Sequence, residues 1–419
     1  MDGDLSSTAT PPLEGCGPAL ADQLSLPKPL RQRVFEYVRG QGRTARSDIS
    51  RALGISPGSA TTLTADLIRA NLIREVADPE RGQGRGRPRV ALEIVPEAGH
   101  VIGIKLGDDR HTAALSDFAG RLICDLTLPA STKARPSYQI VDEIGALLTG
   151  LLEKAGKTLR DVSGIGIGMV GIVDHAQGIV HWSPLLDSTD QAFGAAVEER
   201  FGLPVALEND ANMLTLSELW FGAGRVKSDF AVVTLEKGVG MGLVLNNQLY
   251  RGSFGMGLEL GHTKVQMEGA LCRCGQRGCL EAYISDDALT REAATVLNLA
   301  PDTDGPASTM AALYQQAAAG HAPALRIFQR AGRFLALGLS NVVQLFDPAL
   351  LILSGERMTY EFMYADHLSA DVQALVLSQN KMPCKIEIRG HRDLHWARGA
   401  TARALADMTD RLFNTETPA

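Results

Sequence analysis

Apolar positions recur at helical spacing three times between Leu30 and Glu75. Val34, Tyr37 and Val38 share one side of a first helix predicted over 30–39, and Ile49, Ala52 and Leu53 one side of a second over 45–53. Gly54, free to take a positive φ, ends the second helix; Ser56 and Pro57 supply an N-cap and a first helical residue for a third, which runs to residue 70 through Leu63, Leu67 and Ile68. The short turn Gly54-Ile55-Ser56 predicts a helix-turn-helix. Two short apolar strands follow, over 72–76 and 90–95, and residues 78–89 between them read Asp-Pro-Glu-Arg-Gly-Gln-Gly-Arg-Gly-Arg-Pro-Arg. A Gly-rich hairpin tip of this kind is a basic wing, carrying Arg81, Arg85, Arg87 and Arg89; a linker without order is the alternative.

From residue 100 the pattern becomes α/β. Apolar strands are predicted over 101–106, 112–117 and 121–128, then a helix over 138–155 and strands over 162–168 and 205–207. A second set begins at 230–235 and 242–245. Strands in hairpin order followed by helix and strand, repeated once, predict two lobes with a ligand cleft between them. The expected domains are a loose tail (1–27), a winged helix-turn-helix (28–95), a first lobe (96–225) completed by a C-terminal helix over 396–415, and a second lobe (226–395).

At 419 residues the chain has room for these units, and its 45% hydrophobic and 21% charged residues are ordinary for a soluble globular protein. No apolar run reaches the ~20 residues that span a bilayer, and residues 1–27 show no secretory pattern. The cytoplasm is the expected location, with no membrane partner. Charge alters the picture by segment. The whole chain carries -7, yet residues 28–90 hold 13 basic and 6 acidic residues, while the tail has four acids and no base. A basic module ahead of an acidic body suits a head that holds double-stranded DNA; a solvated basic face gives the same count. The start of the third helix offers Ser59, Thr61, Thr62 and Thr64, short hydroxyl residues that reach phosphates or base edges in a major groove. Extended Gly-Arg-Pro segments suit a minor groove, which makes Arg85, Arg87 and Arg89 further DNA candidates.

Three of six cysteines, Cys272, Cys274 and Cys279, fall within eight residues, and His262 lies ten residues upstream of the first. Three thiolates and one imidazole make a closed tetrahedral set for a structural Zn²⁺; three free thiols in a reducing compartment are the alternative. Asn209, Asp210, Glu259 and Glu281 offer the fixed acceptors and donors that a sugar's hydroxyls need. Taken singly, Asn209 or Asp210 reads equally well as a helix cap.

Together Glu208-Asn-Asp-Ala-Asn212, Glu259-Leu-Gly-His262 and the run Cys272-Arg-Cys-Gly-Gln-Arg-Gly-Cys-Leu-Glu281 resemble the ROK family (repressors, open reading frames, kinases) over residues 100–405, and the head matches its repressor branch. The resemblance implies an actin-like, ribonuclease-H-like sugar-kinase fold of two lobes. It also implies that Asn209, Asp210, Glu259, His262 and Glu281 bind sugar, with His262 holding zinc through one ring nitrogen and a sugar hydroxyl through the other. Gly168-Met-Val-Gly-Ile-Val-Asp174 resembles a segment that closes over the sugar, with Val170 where many members have Pro. Asp210 matches the general base of kinase members, but the phosphate loop departs from theirs. Lys105 replaces an Asp that helps place Mg²⁺, Asp108 and Asp109 stand where Gly and a hydroxyl residue belong, and Val239 replaces a Thr in Gly238-Val-Gly-Met-Gly242. Two carboxylates beside the phosphates would repel them. No catalytic residue is therefore assigned.

The expected function is a sugar-responsive transcription regulator, a repressor, working as a dimer or larger homo-oligomer because operators are symmetric. A sugar kinase carrying a DNA-binding head is one alternative; a regulator controlled by a protein partner is another.

Overall fold

The computed structural model describes residues 14–20, 28–77, 90–253, 255, 257–296, 306–355, 367–377 and 384–414. The wing tip, with Arg81, Arg85, Arg87 and Arg89, lies outside the described residues. The head has α1 (Leu30–Gln41), α2 (Arg46–Leu53), α3 (Pro57–Arg69) and an antiparallel pair, β1 (Ile73–Ala77) with β2 (Val90–Ile94). This is the element order of a winged helix-turn-helix. The local signals act as predicted. Gly54 takes φ +65° after α2, and the Ser56 side chain accepts from Ser59 N, with Pro57 at the first position of α3.

The first lobe contains β3 (His100–Leu106), β4 (Arg110–Asp117), β5 (Leu122–Pro129), α4 (Ser137–Ala155) and β6 (Gly164–Met169). A small hairpin follows, β7 (Ile172–Asp174) with β8 (Ile179–Trp182), then α5 (Phe193–Phe201), β9 (Val205–Asn209) and α6 (Asp210–Phe221). The second lobe contains β10 (Phe230–Leu235), β11 (Val239–Leu245), β12 (Gln248–Tyr250), α7 (Glu281–Ile284), α8 (Asp286–Val296), α9 (Pro306–Ala318), α10 (Ala322–Phe346), β13 (Leu350–Ser354), α11 (Leu368–Leu375) and β14 (Lys385–Arg389). The chain then enters α12 (Asp393–Asn414), which packs on the first-lobe sheet.

The two large sheets have one plan. Their orders are β5-β4-β3-β6-β9 and β12-β11-β10-β13-β14: an antiparallel meander to one side of the lobe's first strand, two parallel strands to the other. Apolar side chains alternate across β3. Ile102 and Ile104 face α4, while Val101 faces the side that α12 covers. Gly103 and Gly166 lie under α12, where a Cβ would come within 2.1 Å of Ala397 O and 2.0 Å of Ala400 O respectively. On the other side of α12, a Cβ at Gly399 would meet Met213 O of α6 at 1.7 Å. Helix, sheet and helix thus touch backbone to backbone.

The head shares this core. Phe35 of α1 packs on Phe118 and Phe413 at ring-centroid distances of 5.2 and 5.5 Å, and Val34 and Val38 join the same apolar cluster as Met213, Trp220 and Leu405. Residues 14–20, expected as part of a loose tail, are instead held between α1 and the end of α6 by backbone hydrogen bonds from Cys16 N to Arg39 O (3.0 Å) and from Gly17 N to Trp220 O (2.9 Å). No described helix is long and apolar enough to cross a membrane. Replacing Gly166 with valine forces α12 off the sheet. The expected loss is on the order of 3 kcal/mol, the upper end of overpacking costs, read as a lower midpoint in urea unfolding than for a Gly390→Ala control, at a site where nothing crowds the Cβ and φ is not left-handed.

Candidate functional site

On the head, the first two turns of α3 expose Pro57, Gly58, Ser59, Thr61 and Thr62. These small residues permit close backbone approach to another surface. The Ser59 hydroxyl lies 2.9 Å from Ser56 Oγ, and Thr61 Oγ1 donates to Pro57 O. Thr64 was expected on the same face, but it is fully buried; its hydroxyl donates to Ala60 O and accepts from Arg46 Nε at 3.0 Å. Ala60, Thr64 and Leu67 form the inward stripe of α3, so Thr64 belongs to the head's core and cannot reach DNA. Basic side chains border the exposed face, with Arg51 beside Asp48 and Arg69 beside Asp66.

In the body, the predicted sugar residues converge where β9 passes into α6. Asn209 is the N-cap of α6. Its Oδ1 accepts from Ala211 N (2.9 Å), and its Nδ2 donates to Gly171 O (2.9 Å), which ties the helix start to the segment before β7. Asp210 occupies the first turn. Burial pushes its carboxyl up, against the pull of Lys105. Glu259, before the short turn Leu260–His262, is likewise pushed up by burial, with Asp210 and Glu281 adding to the shift and His262 opposing it. Glu281 opens α7. It is buried, accepts from Val239 N (3.1 Å), and pairs with Arg273 through both oxygens at 2.7 and 3.2 Å. Glu259 thus lies near enough to Asp210, Glu281 and His262 to feel the charge of all three.

The cysteine cluster adjoins these carboxyls, with Cys272 Sγ 3.8 Å from Glu281 Oε1. Donor atoms of His262, Cys272, Cys274 and Cys279 lie within 4.8 Å of one another. Cys274 Sγ is 3.8 Å from Cys279 Sγ, and His262 Nδ1 is 3.8 Å from Cys272 Sγ. A tetrahedral metal with bonds of about 2.3 Å to sulfur spaces its sulfurs about 3.8 Å apart, so the cluster fits a metal ion. Gly275 and Gly278 take φ of +85° and +77°, as the tight turns in the loop require. Lys264 Nζ donates to Cys279 Sγ at 2.9 Å.

On the other side of the cleft, Lys105 Nζ donates to Asp393 Oδ1 at 2.6 Å, lies 3.9 Å from Glu236, and sits 4.2 Å over the Trp396 ring. Burial alone would lower the Lys105 amine, but Glu236 and Asp393 outweigh it and hold it above its ordinary value. Asp108 reaches Lys237 of the second lobe, and Asp109 pairs with Arg110 at 3.0 Å. Asp108 and Asp109, the two carboxylates expected beside the phosphates, thus each have a cation against them.

Two arginines escaped the sequence reading. Arg251, after β12, donates to Glu208 at 2.6 Å and so joins the second lobe to the residue before Asn209. Arg273 lies inside the cysteine run, and its approach to Glu281 across eight residues was the one local signal available.

A family model described as the ROK family matches residues 101–407. Relatives include a putative xylose repressor of Caldicellulosiruptor sp. (strain Rt8B.4), 28% identical over 90% of this chain and 95% of its own length. The DNA-binding transcriptional repressor Mlc of Escherichia coli (strain K12) is 29% identical over 76% and 79% respectively. Among solved structures, a ROK family transcriptional regulator described as a homologue of E. coli Mlc shares the fold, with TM-score 0.77 at 24% identity over 92% of this chain and 98% of that one. A ROK family glucokinase from Streptomyces griseus, in complex with glucose and AMPPNP, gives 0.61 at 30% identity over 73% and 99%. The chain belongs to the ROK family.

Proposed function

We propose that this protein is a sugar-responsive transcription repressor of carbohydrate-utilisation genes. Its head holds operator DNA through α3 and the wing arginines Arg85, Arg87 and Arg89, and sugar in the interlobe cleft changes that grip. The observation that carries this reading is the union, in one packed core, of α1 of the head with α6, the helix that begins at Asn209 and Asp210. Repressor relatives matched over most of their length support it. Asn209, Asp210, Glu259, His262 and Glu281 would bind the sugar hydroxyls, and His262, Cys272, Cys274 and Cys279 would hold one structural Zn²⁺. Zinc there would fix the His262 ring and leave no open position for chemistry. The protein acts as a homodimer at least, matching a symmetric operator.

The cleft does not phosphorylate its sugar on this reading. Lys105 fills the place of a metal-binding carboxylate and is already paired with Asp393 and Glu236. Asp210 then serves as a sugar acceptor and not as a base.

Three outcomes follow. Asp210→Asn is expected to weaken sugar binding about tenfold or more, as for loss of a charged hydrogen-bond acceptor, and to leave DNA affinity without sugar unchanged. Calorimetry with D-xylose, D-glucose and N-acetylglucosamine, alongside fluorescence anisotropy on a duplex from upstream of the gene, measures both. Ser59→Glu places a carboxylate on the exposed face of α3 and should cut DNA affinity about tenfold while sugar affinity holds. Elemental analysis should find ~1 zinc per chain, and Cys274→Ser should lose it and lower Tm by several degrees; full Tm without bound metal would refute the structural role.

A further inference from the structure

We propose that residues 14–20 form a strap that fixes the head to the end of α6, with Arg225 as the positioning residue through which α6 reports the state of the cleft to the head. The inference rests on the repressor reading above and adds the route by which sugar reaches DNA.

α6 is touched along its whole length by the parts that must communicate. Its start carries Asn209 and Asp210 in the cleft. Its last turn carries buried Glu218, which meets the second lobe through His391 Nε2 at 2.8 Å and Arg389 Nη1 at 3.4 Å. In its last turn Trp220 O accepts from Gly17 N, and beyond its end Arg225 O accepts from Ala19 N, both at 2.9 Å. At twelve residues the helix is about 18 Å long, a short rod between sugar and strap.

Arg225 sits where strap, α1 and α6 meet. It is 4% exposed. Its Nε donates to Gly17 O at 3.0 Å and its Nη2 to Gly40 O at 2.5 Å. One guanidinium thus holds a carbonyl of the strap and a carbonyl at the end of α1. The strap is fitted on its other side as well. Gly15, at φ +93°, lies so close to α1 that a Cβ would stand 2.4 Å from both Arg39 O and Gly42 N. Cys16 is buried against Gly120, and Gln41 Nε2 donates to Ala19 O. Arg39 of α1 lies 4.6 Å over the Trp220 ring and donates to Thr409 Oγ1 of α12. A shift of the α6 end relative to α12 must therefore either break these bonds or carry α1, and with it α3.

The test uses the full chain and two variants outside both binding faces. Arg225→Met removes the guanidinium. Gly15→Val displaces the strap and leaves α6 and the cleft intact. Sugar affinity is measured by calorimetry with D-xylose, D-glucose and N-acetylglucosamine, and DNA affinity by anisotropy with and without the sugar that binds. In the unaltered protein the sugar should change DNA affinity about fivefold or more, the usual scale of coupling between sites. In both variants sugar affinity should stay within about twofold, while the sugar-dependent ratio of DNA affinities falls to about one. Variants that bind sugar and retain the full ratio overturn the proposal. Hydrogen exchange gives a readout that needs no sugar: both variants should lose protection in 14–20 and 30–41 and keep it in β3 and β6. Unchanged exchange in those segments also overturns the strap. An unaltered protein whose DNA affinity ignores every bound sugar overturns the repressor reading instead, while the exchange result still decides whether the strap holds the head.

Discussion

The backbone contact of α12 with the first-lobe sheet sets the positions of everything else. Gly103 and Gly166 leave no side chain between strand and helix, and Gly399 brings α6 equally close on the far side. At 22 residues α12 is about 33 Å long. It begins at Asp393, against Lys105 in the cleft, and ends near Thr409 and Asp410, which meet Arg39 and Gln32 of α1. Cleft and head are therefore two ends of one layer, and close packing of this kind moves in discrete steps and does not flex continuously.

The cleft itself is electrically divided. Toward α7 and the cysteine cluster it gathers Asp210, Glu259 and Glu281; burial, with the other two carboxyls adding, pushes the Glu259 carboxyl up from its ordinary value. Such groups accept hydrogen bonds from hydroxyls. Toward α12 it holds ion pairs already made, Lys105 with Asp393 and Asp108 with Lys237, the second joining the lobes. The fold shared with a ROK glucokinase lies in the two repeated sheets.

Much of this was legible in the residues. Ser56, Pro57 and Gly54 located the head's helices because caps and positive φ are local requirements. The hairpin-then-crossover order of strands located both lobes, and the spacing of Cys272, Cys274 and Cys279 located the cluster. Other features were hidden for physical reasons. Thr64 looked polar and exposed, yet its place four residues after Ala60 and three before Leu67 put it on the buried stripe, where bonding to Ala60 O satisfies its hydroxyl. Residues 14–20 have the composition of a loose tail, and the surface that orders them is assembled from 39–42 and 220–225. Lys105 was read as an inverted charge; its partner Asp393 is 288 positions away, beyond any local pattern.

The most direct test of the account is a titration of operator duplex with the purified protein in the absence of nucleotide, with and without saturating sugar. The account predicts that sugar alone shifts DNA affinity about fivefold or more, that ATP with Mg²⁺ adds nothing, and that no ADP is released. A shift that requires ATP, accompanied by steady sugar-dependent ADP release, would contradict it.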